Sequence, residues 1–352
     1  MRSPMLLLLL LVGLWLLQAH GRLNPRVVVL PKKNGALSSK ASMKGPSSLP
    51  QSSVSPSTSS PPRARFRVVT DIDDTVKSSG GKNIFGVYLG GVDTQFKRGT
   101  FYPGAFQFSW ELSKYNRMLK EAMVPKVAVL TARAREFKFA LALKPTTKIV
   151  KRFRRQGLAM GTKDWGIGDV LYGSVVEWVL QERKGIRKFN NFKLLLDKDE
   201  RLNGGRKQRY VFIGDTGEKD EEAGVSMINT YPDRMRAMFL HVVADTKDHT
   251  KVVPPSDRTL KGVPIFYYRT YVGAAVKAYS AGLLDKAGVR RVVKVATAEL
   301  KRIDPPRNGA TRGTSSRWVD LEKDIQLSRR VMSQTAWNFA NPLEALSRNV
   351  RG

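Results

Sequence analysis

An α/β fold, a Rossmann-like parallel sheet with helices on both faces, is what this sequence predicts, and three apolar runs predict it. Phe66-Arg67-Val68-Val69 has the branched and aromatic chemistry of a strand and stops at Thr70-Asp71-Ile72-Asp73-Asp74-Thr75. Tyr210-Val211-Phe212-Ile213 does the same before Gly214-Asp215, and Val127-Ala128-Val129-Leu130 ends in Thr131-Ala132-Arg133. Helical patterns lie between them, and strands alternating with helices argue for a parallel sheet covered on both faces. In such sheets ligands bind outside the carboxyl ends of the strands, so three polar strand ends imply one shared site. Asp71 and Asp73 are two apart, and an extended continuation of the strand would aim both at one face. Carboxylates held that close repel, and oxygen-only ligands favour a hard cation such as Mg²⁺.

Composition narrows the chemistry. The 352 residues suffice for a substantial core. With no cysteine there are no disulfides, thiolate metal sites or cysteine nucleophiles, and three histidines disfavour a multi-histidine zinc cage. The net charge is +31, from 61 Lys and Arg against 30 Asp and Glu, a field that attracts anions such as phosphate monoesters or acidic lipid. Part of that excess lies outside the expected fold, because no acidic residue precedes Asp71. Neither an RNP-like aromatic stripe nor zinc-finger spacing is present, so nucleic acid is not the expected partner.

In chain order, Met1–Gly21 reads as a signal peptide: Arg2, an apolar run from Met5 to Leu17, then small residues at Ala19 and Gly21. An uncleaved signal anchor is the competing reading. Arg22–Arg65 is basic and crowded with Ser and Pro, and is expected to be a disordered linker or a transit-like region. The leader implies entry into the secretory pathway, ending in secretion or in a plastid reached by that route. The folded domain is expected from Phe66 to Ala281, with a helical extension and tail from 282 to 352.

Within the domain, helices are expected over Ala105–Lys120, Glu136–Leu143, Lys148–Gln156, Val175–Leu180, Phe189–Leu196, Ala223–Tyr231 and Tyr267–Ala281. Trp165–Asp169 reads as a glycine-punctuated loop and Ala237–Val243 as a strand. Further helices are expected at Val289–Leu300 and Leu321–Val331. Lys151, Arg152, Arg154 and Arg155 read as a solvated helix face.

Asp71-Ile72-Asp73-Asp74-Thr75 matches the DxDxT signature of the haloacid dehalogenase superfamily, and Gly214-Asp215-Thr216-Gly217-Glu218-Lys219-Asp220 resembles that superfamily's GDxxxxD metal motif. More closely, DIDDTVKSSGG with FIGDTGEKDEEA resembles the catalytic domain of actin-patch-type phosphatidate phosphatases. The resemblance covers about three-fifths of the chain, Phe66 to Ala281. It implies a haloacid dehalogenase-like fold with small cap or insert segments. Asp71 would be the nucleophile that forms an aspartyl-phosphate, and Asp73 the general acid and then base. Thr75 would fix the loop, and Thr131 would bind a phosphate oxygen or cap the next helix. Mg²⁺ would be held by Asp71, the Asp73 carbonyl and Asp215, with Asp220 ligating it or orienting its water. Lys188 would offset negative charge at the nucleophile, with Lys193 as the alternative. Arg133 reads either as a substrate contact or as a surface arginine.

The resemblance thus implies an Mg²⁺-dependent phosphatidate phosphatase that makes diacylglycerol, with an anionic membrane surface as a possible partner. The segments Ser78–Tyr102 and Leu143–Gly185 would select the substrate; their aromatics include Phe85, Tyr88, Phe101, Trp165, Tyr172 and Trp178. Two alternatives carry other expectations: the same mechanism acting on a soluble phosphomonoester, and a non-catalytic module that binds anionic lipid.

Overall fold

Strand β1 (Phe66–Thr70) is buried on both sides and sits inside a seven-stranded sheet. The computed structural model describes residues 66–81, 83–84, 87–88, 92–115, 124–134, 143–173, 184–217, 219–243, 253–306 and 313–333. The expected signal peptide and linker, the helix expected at Val175–Leu180, and all but the last residue of the helix expected at Glu136–Leu143 lie outside these residues.

A small antiparallel pair, β2 (Asn83–Ile84) with β3 (Val87–Tyr88), forms the insert after β1. The elements that follow are α1 (Ala105–Tyr115), β4 (Val127–Ala134), α2 (Lys148–Ala159), β5 (Ile167–Gly173) and α3 (Lys184–Leu202). Then come β6 (Arg209–Asp215), α4 (Asp220–Thr230), β7 (Met235–His241), β8 (Arg258–Leu260) and β9 (Val263–Tyr268). Helices α5 (Tyr271–Ser280), α6 (Lys286–Ile303) and α7 (Ser316–Ser333) close the described chain.

The sheet order is β5-β4-β1-β6-β7-β9-β8, and every neighbouring pair is parallel except β8 with β9. Counting the parallel strands as they appear in the chain gives 3-2-1-4-5-6, the Rossmann order. Alternation along β1 divides the core. Phe66 and Val68 join a cluster with α1, α2, α5, α6 and α7, whereas Val69 joins a second with α3 and α4. The fold is therefore α/β with helices on both faces. The segment after residue 281 is built into it, since Val292, Leu300, Trp318 and Leu321 belong to the first cluster.

Three local expectations change. Trp165–Asp169 is not all loop, because β5 begins at Ile167 and its Asp169 carboxylate takes Arg67 Nη2 at 2.7 Å and an ion pair from Lys198. Those two cations offset the cost of an acid in a partly buried strand. The helix expected from Tyr267 starts at Tyr271, since Tyr267 and Tyr268 finish β9. The β8–β9 hairpin itself is unforeseen; it turns at Lys261-Gly262, both with positive φ (48° and 77°).

One buried carboxylate makes stability depend on pH. Asp324 of α7 accepts a hydrogen bond from Thr270 Oγ1 at 2.6 Å, and Thr270 in turn caps α5 by accepting from Gly273 N. Burial pushes the Asp324 carboxyl from its ordinary 3.8 up to about 6. The folded state therefore holds this proton where the unfolded chain has lost it. The stabilisation is full below pH 4 and is lost as pH rises through 6. We expect this group to contribute a fall of roughly 2–3 kcal/mol across that window. Asp324→Asn keeps the acceptor for Thr270 and should flatten that part of a denaturant-titrated stability profile; an unchanged slope would assign the pH dependence elsewhere.

Candidate active site

The reversal of strand order falls between β1 and β6, where crossovers leave in opposite directions and a crevice opens at the carboxyl ends. Thr70 pairs with Ile213, and Asp71 N extends that ladder by donating to the Ile213 carbonyl at 3.0 Å. The chain then turns sharply. Val76 N and Lys77 N both donate to the Ile72 carbonyl, at 2.9 and 3.0 Å, and Asp74 takes φ +58°. Asp71 is buried, whereas the Asp73 carboxylate lies 3.4 Å from Lys77 Nζ and is not part of the acid cluster described next.

That cluster is Asp71, Asp215 and Asp220, all buried, with ligand oxygens within 4.8 Å of one another. Asp215 ends β6 and Asp220 opens α4 after Lys219, whose φ of +68° reverses the chain. The α4 N-terminus carries Asp220, Glu221 and Glu222, the charge sign its dipole favours. Asp220 Oδ2 accepts from Asp215 N at 3.3 Å, and Asp215 Oδ1 accepts from Gly217 N at 2.6 Å. Gly214 is required by this closeness, since a Cβ there would stand 2.6 Å from Asp220 Oδ2.

Lys188, on α3, is buried at 1% exposure and reaches the same place. Its Nζ lies 3.2 Å from Asp71 Oδ2 and forms an ion pair with Asp220. Three carboxylates meet in a site shielded from water, and hard oxygen donors suit a hard cation. The cluster could hold a metal ion. Gly214→Ala would push Asp220 out of it, and we expect divalent-cation affinity to fall by about 10–100-fold, read as a shifted Mg²⁺ dependence of the melting temperature. An unshifted curve would remove Asp220 from the metal set.

The remaining expected residues divide. Thr75 Oγ1 is 3.5 Å from Asp215 Oδ2, bringing it to the cluster. Thr131 is buried two residues beyond the Thr70–Val129 pairing, level with the start of the Asp71 loop, and β4 continues past it to Ala134. Lys193 is elsewhere, its Nζ 5.1 Å above the Phe189 ring. The Arg133 side chain lies outside the described residues.

Sequence reasoning assigned nothing to Asp74, His241 or Tyr271, which brace the loop. Asp74 accepts from Ser79 N at 2.7 Å, Ser79 Oγ at 2.9 Å and Asp93 N at 2.9 Å, tying the loop to the 92–102 segment. Burial pushes its carboxyl up to about 7 despite these bonds. His241 Nδ1 is 2.7 Å from the Asp74 carbonyl, and its Nε2 is 3.3 Å from the Arg269 carbonyl. Burial pushes the imidazole pKa down, against the carbonyls that face both ring nitrogens. Tyr271 Oη donates to the Thr75 carbonyl at 2.6 Å. Two signals pointed here: a third carboxylate within five residues, and a rare histidine ending an apolar strand.

The chain matches no protein-family model, no curated protein and no solved structure. A class for this site therefore rests on its own geometry and on the two motifs.

Proposed function

We propose that this protein is an Mg²⁺-dependent phosphatase that forms an aspartyl-phosphate on Asp71, with phosphatidate as its substrate. The observation that carries the proposal is the convergence of Asp71, Asp215, Asp220 and Lys188 in one buried cluster at the strand-order reversal. Asp71, Asp215 and Asp220 would hold Mg²⁺, whose charge offsets that of the phosphoryl oxygens.

In the proposed reaction an Asp71 carboxylate oxygen attacks phosphorus as the bond to the leaving alcohol breaks. Lys188, fixed against Asp71, stabilises negative charge spreading over the phosphoryl group. Asp73 gives a proton to the alcohol, then takes one from the water that cleaves the acyl-phosphate. For that work it leaves Lys77, its partner at 3.4 Å. Thr75 and the braces on the Asp74 and Thr75 carbonyls hold the loop still. The choice of phosphatidate is supported by the resemblance of DIDDTVKSSGG and FIGDTGEKDEEA to phosphatidate phosphatases.

The experiment is phosphate release by the full chain from phosphatidate in mixed micelles and from soluble phosphomonoesters, with Mg²⁺ and with chelator. Mg²⁺-dependent release mainly from phosphatidate is expected. Release mainly from a soluble ester would keep the mechanism and discard the lipid. No release from folded protein would discard both.

A further inference from the structure

The two faces of the sheet differ in charge. On one, α4 opens with three acids, and α3 interleaves acids with its lysines. On the other, α2 contains no acidic residue. Its buried Ile149, Phe153 and Gly157 mark an inner stripe, and Lys148, Lys151, Arg154 and Arg155 are exposed on the opposite side beside Leu158, which is 51% exposed. Helix α6 repeats the pattern: Val289, Val292, Ala296 and Leu300 point inward, and Arg290, Lys294 and Lys301 are exposed outward. None of these exposed cations makes an ion pair with a described acid.

The two helices are fixed relative to each other. Glu299 of α6 forms an ion pair with Arg152 of α2 and accepts from Gly104 N at the start of α1. A second link runs from Gln156 through Gln107 to Glu111, which accepts from Arg291 at 2.6 and 2.8 Å. With α1 beneath them, α2 and α6 present a broad surface of cations.

We propose that this α2–α6 face docks on an anionic lipid bilayer. Exposed cations on one face with no ion-pair partner among the described acids repel one another, and an anionic surface removes that repulsion. Leu158, half-exposed within the cationic stripe, suits the boundary between headgroups and acyl chains. Nucleic acid is the weaker match, since neither exposed stripe offers an aromatic ring for base stacking. The proposal is independent of what the site hydrolyses.

The test is co-sedimentation of the full chain with vesicles of phosphatidylcholine alone or with about 30 mol% phosphatidylglycerol, a diester that is not a phosphomonoester substrate. Binding is expected only to the anionic vesicles. The triple reversal K151E/R155E/K294E should weaken it by about 100-fold or more, at roughly fivefold per cation. R201E/R206E/K207E, an equal change of net charge at exposed positions around the end of α3, should leave it within about twofold. Both variants should keep the wild-type melting temperature. Equal losses in the two triples would reduce the effect to net charge and overturn the proposal. So would unchanged vesicle binding by the α2–α6 triple, or loss of duplex-DNA binding in its place.

Discussion

Asp71→Asn is expected to lower phosphate release by at least about 10⁴-fold while leaving the fold intact. The amide keeps the shape of the side chain but cannot attack phosphorus. The mutation also removes one charge from a group of three buried carboxylates, two of which pair with Lys188. Stability in chelator should therefore hold or rise, and the Mg²⁺-induced rise in melting temperature should shrink. Quenched-flow and thermal-shift measurements on the same preparation separate these effects. Retained turnover would exclude Asp71 as nucleophile; lost turnover with a collapsed melting temperature would make its role structural.

The second large effect is on stability. Lys188→Met fills similar space without charge and leaves Asp71, Asp215 and Asp220 facing one another in a buried site. Removing one partner of a buried ion pair costs about 3–5 kcal/mol, and this ammonium serves two carboxylates. We expect the metal-free protein to lose that much, Mg²⁺ to recover part of it, and activity to fall even at saturating Mg²⁺. Lys193→Met, altering a side chain that stacks on Phe189, should change stability by well under 1 kcal/mol. If the two substitutions behave alike in chelator, the Lys188 assignment fails.

The parallel core was legible because central parallel strands are apolar on both faces. Val68-Val69 and Val211-Phe212-Ile213 are continuous runs that end where the polar edge begins. The same logic failed at β5, an edge strand with Gly168 and Asp169, whose acid is stabilised by Arg67 and Lys198 from distant parts of the chain. It failed again at Tyr267-Tyr268, which finish β9 although aromatic residues lie on both sides of the Arg269-Thr270 break before α5. At the site, Asp71, Asp215 and Asp220 were readable from spacing and motif. The need for a lysine came only from resemblance, and Lys188 follows from its place ahead of the helix before the last motif strand, since among 61 basic residues no chemical pattern marks it. The Asp73 carboxylate, 3.4 Å from Lys77 Nζ, lies outside the acid cluster that its spacing from Asp71 suggested. His241 and Tyr271 act through backbone carbonyls, and such contacts leave no pattern in sequence.

The pairing of β1 with β6 bears on how the protein is made. Thr75 and Asp215, which meet at the cluster, are 140 residues apart in the chain. At a synthesis rate of roughly 5–20 residues per second, β1 waits about 7–28 seconds for its central partner to be translated. Val69, which ends fully buried, lacks its β6 neighbour Phe212 for that whole interval, even if β4 covers the other edge sooner. Until about residue 215 has cleared the ribosome, the edge of β1 that β6 covers stays unpaired, and Asp215 and Asp220 cannot join Asp71.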